Sequence, residues 1–227
     1  MTGTMSSSTE DLIDRLAAEA LAVQPLRPPL RRAVAWLLVA AIVIGGVVAM
    51  IGFRPDLEDQ MARPAHLLEW LASLLTGILS AVAAFHVSLP DRSRRWAFLP
   101  VPPLIIWIGA VGYGGVADRL GRGSRGFLLG TSFDCFLSIL VMSVPLAVAL
   151  LVMLRYAGPV PPTATIATGM LAAAALAATG LTLFHPLDAS IMVLIWHGGT
   201  IALLVGLATL ANWRLFALVS PDRSAGA

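Results

Sequence analysis

AVAWLLVAAIVIGGVVAMIG, residues 33–52, runs for twenty residues without a charge. A helix rises about 1.5 Å per residue, so roughly twenty apolar residues cross the hydrocarbon core of a bilayer. The run is also the junction of the chain. Thirty-two residues with a polar, charged character precede it, and almost everything after it is apolar. Five further apolar segments follow, at 64–89, 96–117, 127–154, 163–184 and 189–212, each long enough to span. Their connections are short and punctuated by proline or glycine: FRPDLEDQMAR (53–63), PDRSRR (90–95), DRLGRGSR (118–125), RYAGPVPP (155–162) and HPLD (185–188). The expected fold is an all-α, polytopic membrane protein with six transmembrane helices. An N-terminal arm (1–32) precedes the six-helix domain (33–212), and a short tail (213–227) follows it.

Composition narrows the function classes. Hydrophobic residues make up 58% and charged residues 12%, and mean hydropathy is +0.84; a soluble domain carries about 25% charged residues. A net charge of +2, with no basic stripe interleaved with aromatics, argues against direct nucleic-acid contact. One cysteine excludes an intramolecular disulfide and any multi-cysteine metal cluster. The first apolar run lies too far behind an acid-containing arm for a cleavable signal peptide. With no HExxH, GxSxG, CxxC or P-loop, the chain is not expected to be an enzyme.

An even number of spans puts both termini on one side. If that side is the cytoplasm, ten of the fifteen arginines lie inside and five outside, as the positive-inside rule requires. Trp36, Trp96 and Trp213 then fall near the inner interface and Trp70 near the outer one, with Trp107 and Trp196 deeper, as packing residues. Gly45-Gly46, Gly109, Gly112 and Ala172–Ala175 are expected to allow close helix contacts.

The arm contains an amphipathic helix. Glu10 and Asp11 suit its positive first turn, and Leu12, Ile13, Leu16, Ala20 and Val23 share one face. Asp11, Asp14, Arg15 and Glu19 occupy much of the rest, and QPLRPP (24–29) ends it. So short a helix is marginal alone. Helices that lie on membranes are usually basic, whereas this one carries more acid than base. Its apolar stripe therefore points to a protein partner more than to membrane lipid.

Ionisable residues inside spans are functional candidates by default. Helix 2 carries His66 and Glu69, three residues apart; helix 4 carries Asp134 and Cys135; helix 6 carries His197, and the turn before it His185 and Asp188. By helical rise all lie in the outer part of the membrane. Two readings stay open: an outward polar pocket whose Cys, His and carboxylate groups suit zinc or another borderline metal ion, or interfacial caps and helix-joining pairs. His86 alone falls near the inner face, beside Arg92–Arg95.

TEDLIDRLA (9–17), IGFRPDL (51–57), SLPDRSRRW (88–96) and HPLDASIMVLIWH (185–197) resemble the NrsF family. The resemblance implies a six-span protein of the bacterial inner membrane, both termini cytoplasmic, that acts as an anti-sigma factor. Its arm would sequester an extracytoplasmic-function sigma factor and release it on envelope, metal or oxidative stress. The arm residues that match are Asp11, Leu12, Ile13, Leu16 and Ala17. Sensing in the family is associated with two cysteines, one in the fourth span and one before the proline of the last turn. This chain has Cys135 but His185 before Pro186, which leaves a Cys/His metal site or a changed signal open. The sensing candidates are thus Cys135, Asp134, His66, Glu69, His185 and His197. The alternative from another class is a small six-span transporter or channel for a metal ion or small solute. It would need polar residues continuing inward, and the inner halves of helices 3, 5 and 6 are nearly bare of them.

Overall fold

Proline sets where the long helices begin. Pro29 and Pro64 occupy the first turns of theirs and Pro162 is the first residue of a third, a position where the missing N–H costs nothing and φ is already helical. The computed structural model describes residues 9–19, 26–122, 133–154, 162–185, 194–211 and 214. In chain order the helices are α1 (Thr9–Glu19), α2 (Pro29–Ile51), α3 (Leu57–Met61), α4 (Pro64–Val87), α5 (Val101–Arg122), α6 (Phe133–Leu154), α7 (Pro162–Leu181) and α8 (Gly199–Leu210). A 3₁₀ turn, Arg94–Phe98, leads into α5, and a π turn, Leu194–Gly198, leads into α8. No strand occurs among the described residues.

Five helices are long and apolar enough to cross a membrane: Pro29–Ile51, Pro64–Val87, Arg94–Gly114, Leu137–Leu154 and Thr163–Leu181. The sixth expected span lies partly outside the described residues, and its described part, Trp196–Leu210, is a shorter apolar helix. Several boundaries move from their expected places. α2 starts at Pro29 instead of Ala33, so Arg31 and Arg32 belong to it. The 53–63 connection contains α3, and α5 stays helical through Arg122, across much of the expected 118–125 loop. Trp213 and Asp188 lie outside the described residues.

Contacts at the helix ends give an up–down arrangement. The start of α2 meets the C-terminal ends of α4 and α6, because Arg32 lies over Phe85 and donates to the Met153 carbonyl. Beyond its other end, Arg54 N–H donates to the Leu183 carbonyl, just past α7 (3.0 Å). So α2 runs with α7 and against α4 and α6, as short connections between consecutive spans require.

α7 is the central element. Ala172, Ala173, Ala174, Ala175, Ala177 and Ala178 are all buried; small side chains allow neighbouring backbones close approach and the dispersion contacts that come with it. The expected closeness at Ala172–Ala175 is thus present, but not at the expected glycines. A Cβ added at Gly45, Gly46, Gly109 or Gly112 would meet nothing within 4 Å. Close approach occurs instead at Gly77, Gly169 and Gly180, where an added Cβ would come within 2.6–2.7 Å of Leu176, Leu150 and Ile44 respectively. Trp36 is likewise no interfacial anchor. It is fully buried, and its Nε1–H donates to the Leu146 carbonyl of α6 (3.0 Å). Trp107 and Trp196 do pack against buried clusters.

Candidate functional site

Where α4 begins and α7 ends, the bundle opens into a cleft of about 60 Å³. Four of the six sensing candidates line it: His66 and Glu69 from the first turns of α4, His185 from the turn after α7, and His197 from the π turn. His66, Glu69 and His185 are half-buried; His197 is 1% exposed. The π turn opens α8 with Trp196 and His197, and such bulges recur at functional sites. The backbones of Asp134 and Cys135 form the first turn of α6, but their side chains lie outside what is described. Among the described residues no three His, Cys, Asp or Glu side chains converge as a metal ion would need.

Sequence reading missed the groups that build the rim. Arg54, with its side chain 4% exposed, clasps Asp56 with two hydrogen bonds of 2.6 and 2.7 Å, and its third nitrogen reaches the His185 carbonyl (3.4 Å). Gln60 on α3 donates to the same carboxylate (3.1 Å). Asp56 stands at the N-cap of α3 without capping it, because its oxygens are committed to these two side chains. The hydrogen bonds from Arg54 and then Gln60 hold the Asp56 carboxyl well below the usual carboxylate range. The loop after α2 is thereby fastened to the C-terminal end of α7, where carbonyls lacking helical partners favour a cation. FRPD was visible within a family-like stretch, but nothing local said that its arginine turns inward.

The floor of the cleft is a polar contact between α4 and α7. Thr179 Oγ1 lies 2.8 Å from both Ser73 Oγ and the Ala175 carbonyl. Buried polar atoms of the cleft-lining residues that have no hydrogen-bond partner among the described residues include Gln60 Oε1, Trp70 Nε1 and His197 Nε2. Below Ser73 and Thr179 the core is mostly apolar, with Ala40, Ala81, Ala84, Leu146 and Leu150 buried, and it also takes in the hydroxyls of Thr76, Ser80 and Ser143.

At the opposite end of the bundle Arg32 is buried, donates to the Met153 carbonyl and sits 5.1 Å from the centre of the Phe85 ring. His86 donates from Nδ1 to the Val82 carbonyl (2.9 Å) and stacks on Trp96 at 4.1 Å between ring centres. Asp11, Leu12, Ile13, Leu16 and Ala17 all lie on α1 and all are exposed.

The model of one family, NrsF, described as negative regulator of sigma F, matches residues 16–217. The chain belongs to the NrsF family. Curated proteins and solved structures yield no match. As an NrsF protein it is a negative regulator of a sigma factor, and the family is not one of enzymes. The matched range takes in the cleft, both buried arginines and α2–α8, and begins at Leu16, so Asp11, Leu12 and Ile13 precede it.

Proposed function

We propose that this NrsF protein is a membrane-anchored anti-sigma factor of the bacterial inner membrane, with both termini in the cytoplasm. Its arm sequesters an extracytoplasmic-function sigma factor through Leu12, Ile13, Leu16, Ala17 and Asp11. A stress signal received at the outer cleft releases it. The observation that carries this reading is the contrast in α1: Leu12, Ile13 and Leu16 are 52%, 58% and 59% exposed on a helix that carries Glu10 and Asp11 in its first turn. An apolar face left open on a short acidic helix is what a partner would cover.

The coupling route has physical support. α2 follows the arm, and an arginine at each end ties it to the C-terminal end of another helix: Arg32 to α6 and Arg54 to the turn after α7. A rearrangement of the cleft that loosens Arg54 shifts the helix to which the arm is attached. The transporter reading draws less support, because the buried polar groups below Ser73 and Thr179 are scattered hydroxyls, Thr76, Ser80 and Ser143 among them, set between apolar side chains.

The test is co-purification of the full-length protein, solubilised from membranes, with the extracytoplasmic-function sigma factors of its own organism, alongside transcription from a promoter that the captured sigma factor serves. Capture by the intact protein with repression of the promoter is the expected result. Failure to co-purify in the uninduced state would sink the reading.

A further inference from the structure

The outer cleft borders a second cavity. Two of its walls, Trp70 and Thr179, also wall a second cavity of about 360 Å³ between α2, α4 and α7. This second space is apolar, bounded by Leu37, Ala41, Ile44, Ile78 and Leu176. A polar chamber of about 60 Å³ and an apolar slot thus share an indole and a hydroxyl-bearing side chain.

We propose that the two cavities form one binding site for a single-chain amphiphile with an uncharged, hydroxyl- or carbonyl-bearing headgroup. The head sits in the cleft and the chain in the groove. The inference rests on the membrane-embedded reading above, since the chain enters from the bilayer, and it names the class of signal that the cleft takes.

The partnerless atoms select the head. Trp70 Nε1–H can only donate, Gln60 Oε1 can only accept, and His197 Nε2 does either according to its tautomer. Hydroxyls and carbonyls answer such a mixed set, and a buried polar group is costly until something answers it. An anionic head fits poorly. The Arg54 guanidinium is already clasped by Asp56 at 2.6 and 2.7 Å, and Glu69 lines the same cleft. The groove selects the tail, because its walls are apolar and it lies against α2, whose outward face, including Ala41 and Gly45, is exposed. An occupant wedged there presses on the helix that carries the arm.

The probe is a glycerol monoester of 9,10-dibromostearic acid, titrated into the full-length protein in phosphatidylcholine nanodiscs and read by bromine quenching of tryptophan fluorescence. Saturable quenching is expected, with a component that disappears in Trp70→Phe. Ala41→Phe, which fills the groove from an exposed position, will weaken binding at least tenfold. Gln60→Leu will weaken it severalfold while the slot stays open, and ionised dibromostearate will bind at least tenfold more weakly than the ester. Quenching that does not saturate, or that is unchanged in Ala41→Phe, means bulk partitioning and overturns the site. Equal binding of the carboxylate overturns the headgroup class. Because neither readout involves the sigma factor, loss of capture in the earlier test leaves this result standing, and the converse holds too.

Discussion

The Arg32 guanidinium lies 5.1 Å from the centre of the Phe85 ring, at the end of the bundle where α2 begins and α4 ends. The same group donates to the Met153 carbonyl at the end of α6. One side chain therefore gathers three helices next to the arm. A charged hydrogen bond contributes about 1.5–3 kcal/mol and a cation–π contact roughly 0.5–2 kcal/mol. Arg32→Ala will lower bundle stability by about 2–4 kcal/mol, measured by denaturant unfolding in mixed micelles. Arg32→Lys will recover part of that, since it keeps the charge and loses the planar fork. Equal stability of all three proteins would show that the contact contributes nothing.

Glycines in this bundle divide into two kinds, and alanine substitution tells them apart by sign. At Gly77 a Cβ would stand 2.6 Å from Leu176 Cγ and 3.2 Å from the Leu176 backbone nitrogen, so backbone as well as side chain must yield. Gly77→Ala will destabilise by about 1–3 kcal/mol, the usual cost of overpacking. At Gly45 nothing lies within 4 Å, and Gly45→Ala will stabilise α2 by roughly 0.5–1 kcal/mol through lost backbone freedom. Thermal unfolding of the two variants side by side checks both signs.

These two glycines also mark how far the sequence could be read. Span-length apolar runs and proline punctuation are local signals, and they located α2, α4 and α7 to within about four residues and the end of α6 at Leu154. Which small residue faces a neighbour is decided by the relative rotation of packed helices, a tertiary quantity that hydropathy does not carry. Gly45-Gly46 therefore faces open space despite its small-residue pattern, while the isolated Gly77 and Gly180 make the close contacts. The distance of Trp36 from the end of an apolar run suits an interface, yet the ring is fully buried and its indole donates to the Leu146 carbonyl. In the cleft, His66 and Glu69 were linked by helical spacing alone. Their meeting with His185 and His197 at one opening required the fold, as did the inward turn of Arg54.

Asp56 supplies a pH prediction. Its carboxyl is held well below the usual range by Arg54 and Gln60, so the folded loop prefers the ionised form. That preference contributes fully above the unfolded carboxylate value, about 4, and is lost as pH falls from there through the lower folded value. Hydrogen exchange across Leu57–Met61, corrected for intrinsic rates, will stay constant from pH 7 to pH 5 and rise only below about pH 4. Asp56→Asn will show the raised exchange already at pH 7, because the ion pair between Arg54 and Asp56 is then lost. A rise between pH 7 and 6 in the wild-type protein would point to a histidine instead.

The arm gives the prediction that bears most directly on regulation. Leu12 and Leu16 are one helical turn apart on α1 and more than half exposed, so charging them removes no buried contact within the bundle. In a Leu12→Asp/Leu16→Asp variant, unfolding of the helical bundle will stay within about 0.5 kcal/mol of wild type, as for exposed substitutions generally. Burying a leucine side chain against a partner contributes roughly 1.5–3 kcal/mol, so losing two will weaken sigma-factor binding by about 10²–10⁴-fold. Biolayer interferometry of the full-length protein in nanodiscs against the purified sigma factor measures it directly. Asp11→Ala, which leaves the apolar face whole, will change affinity by less than about tenfold. Undiminished binding by the double variant would move the sigma-factor contact off α1.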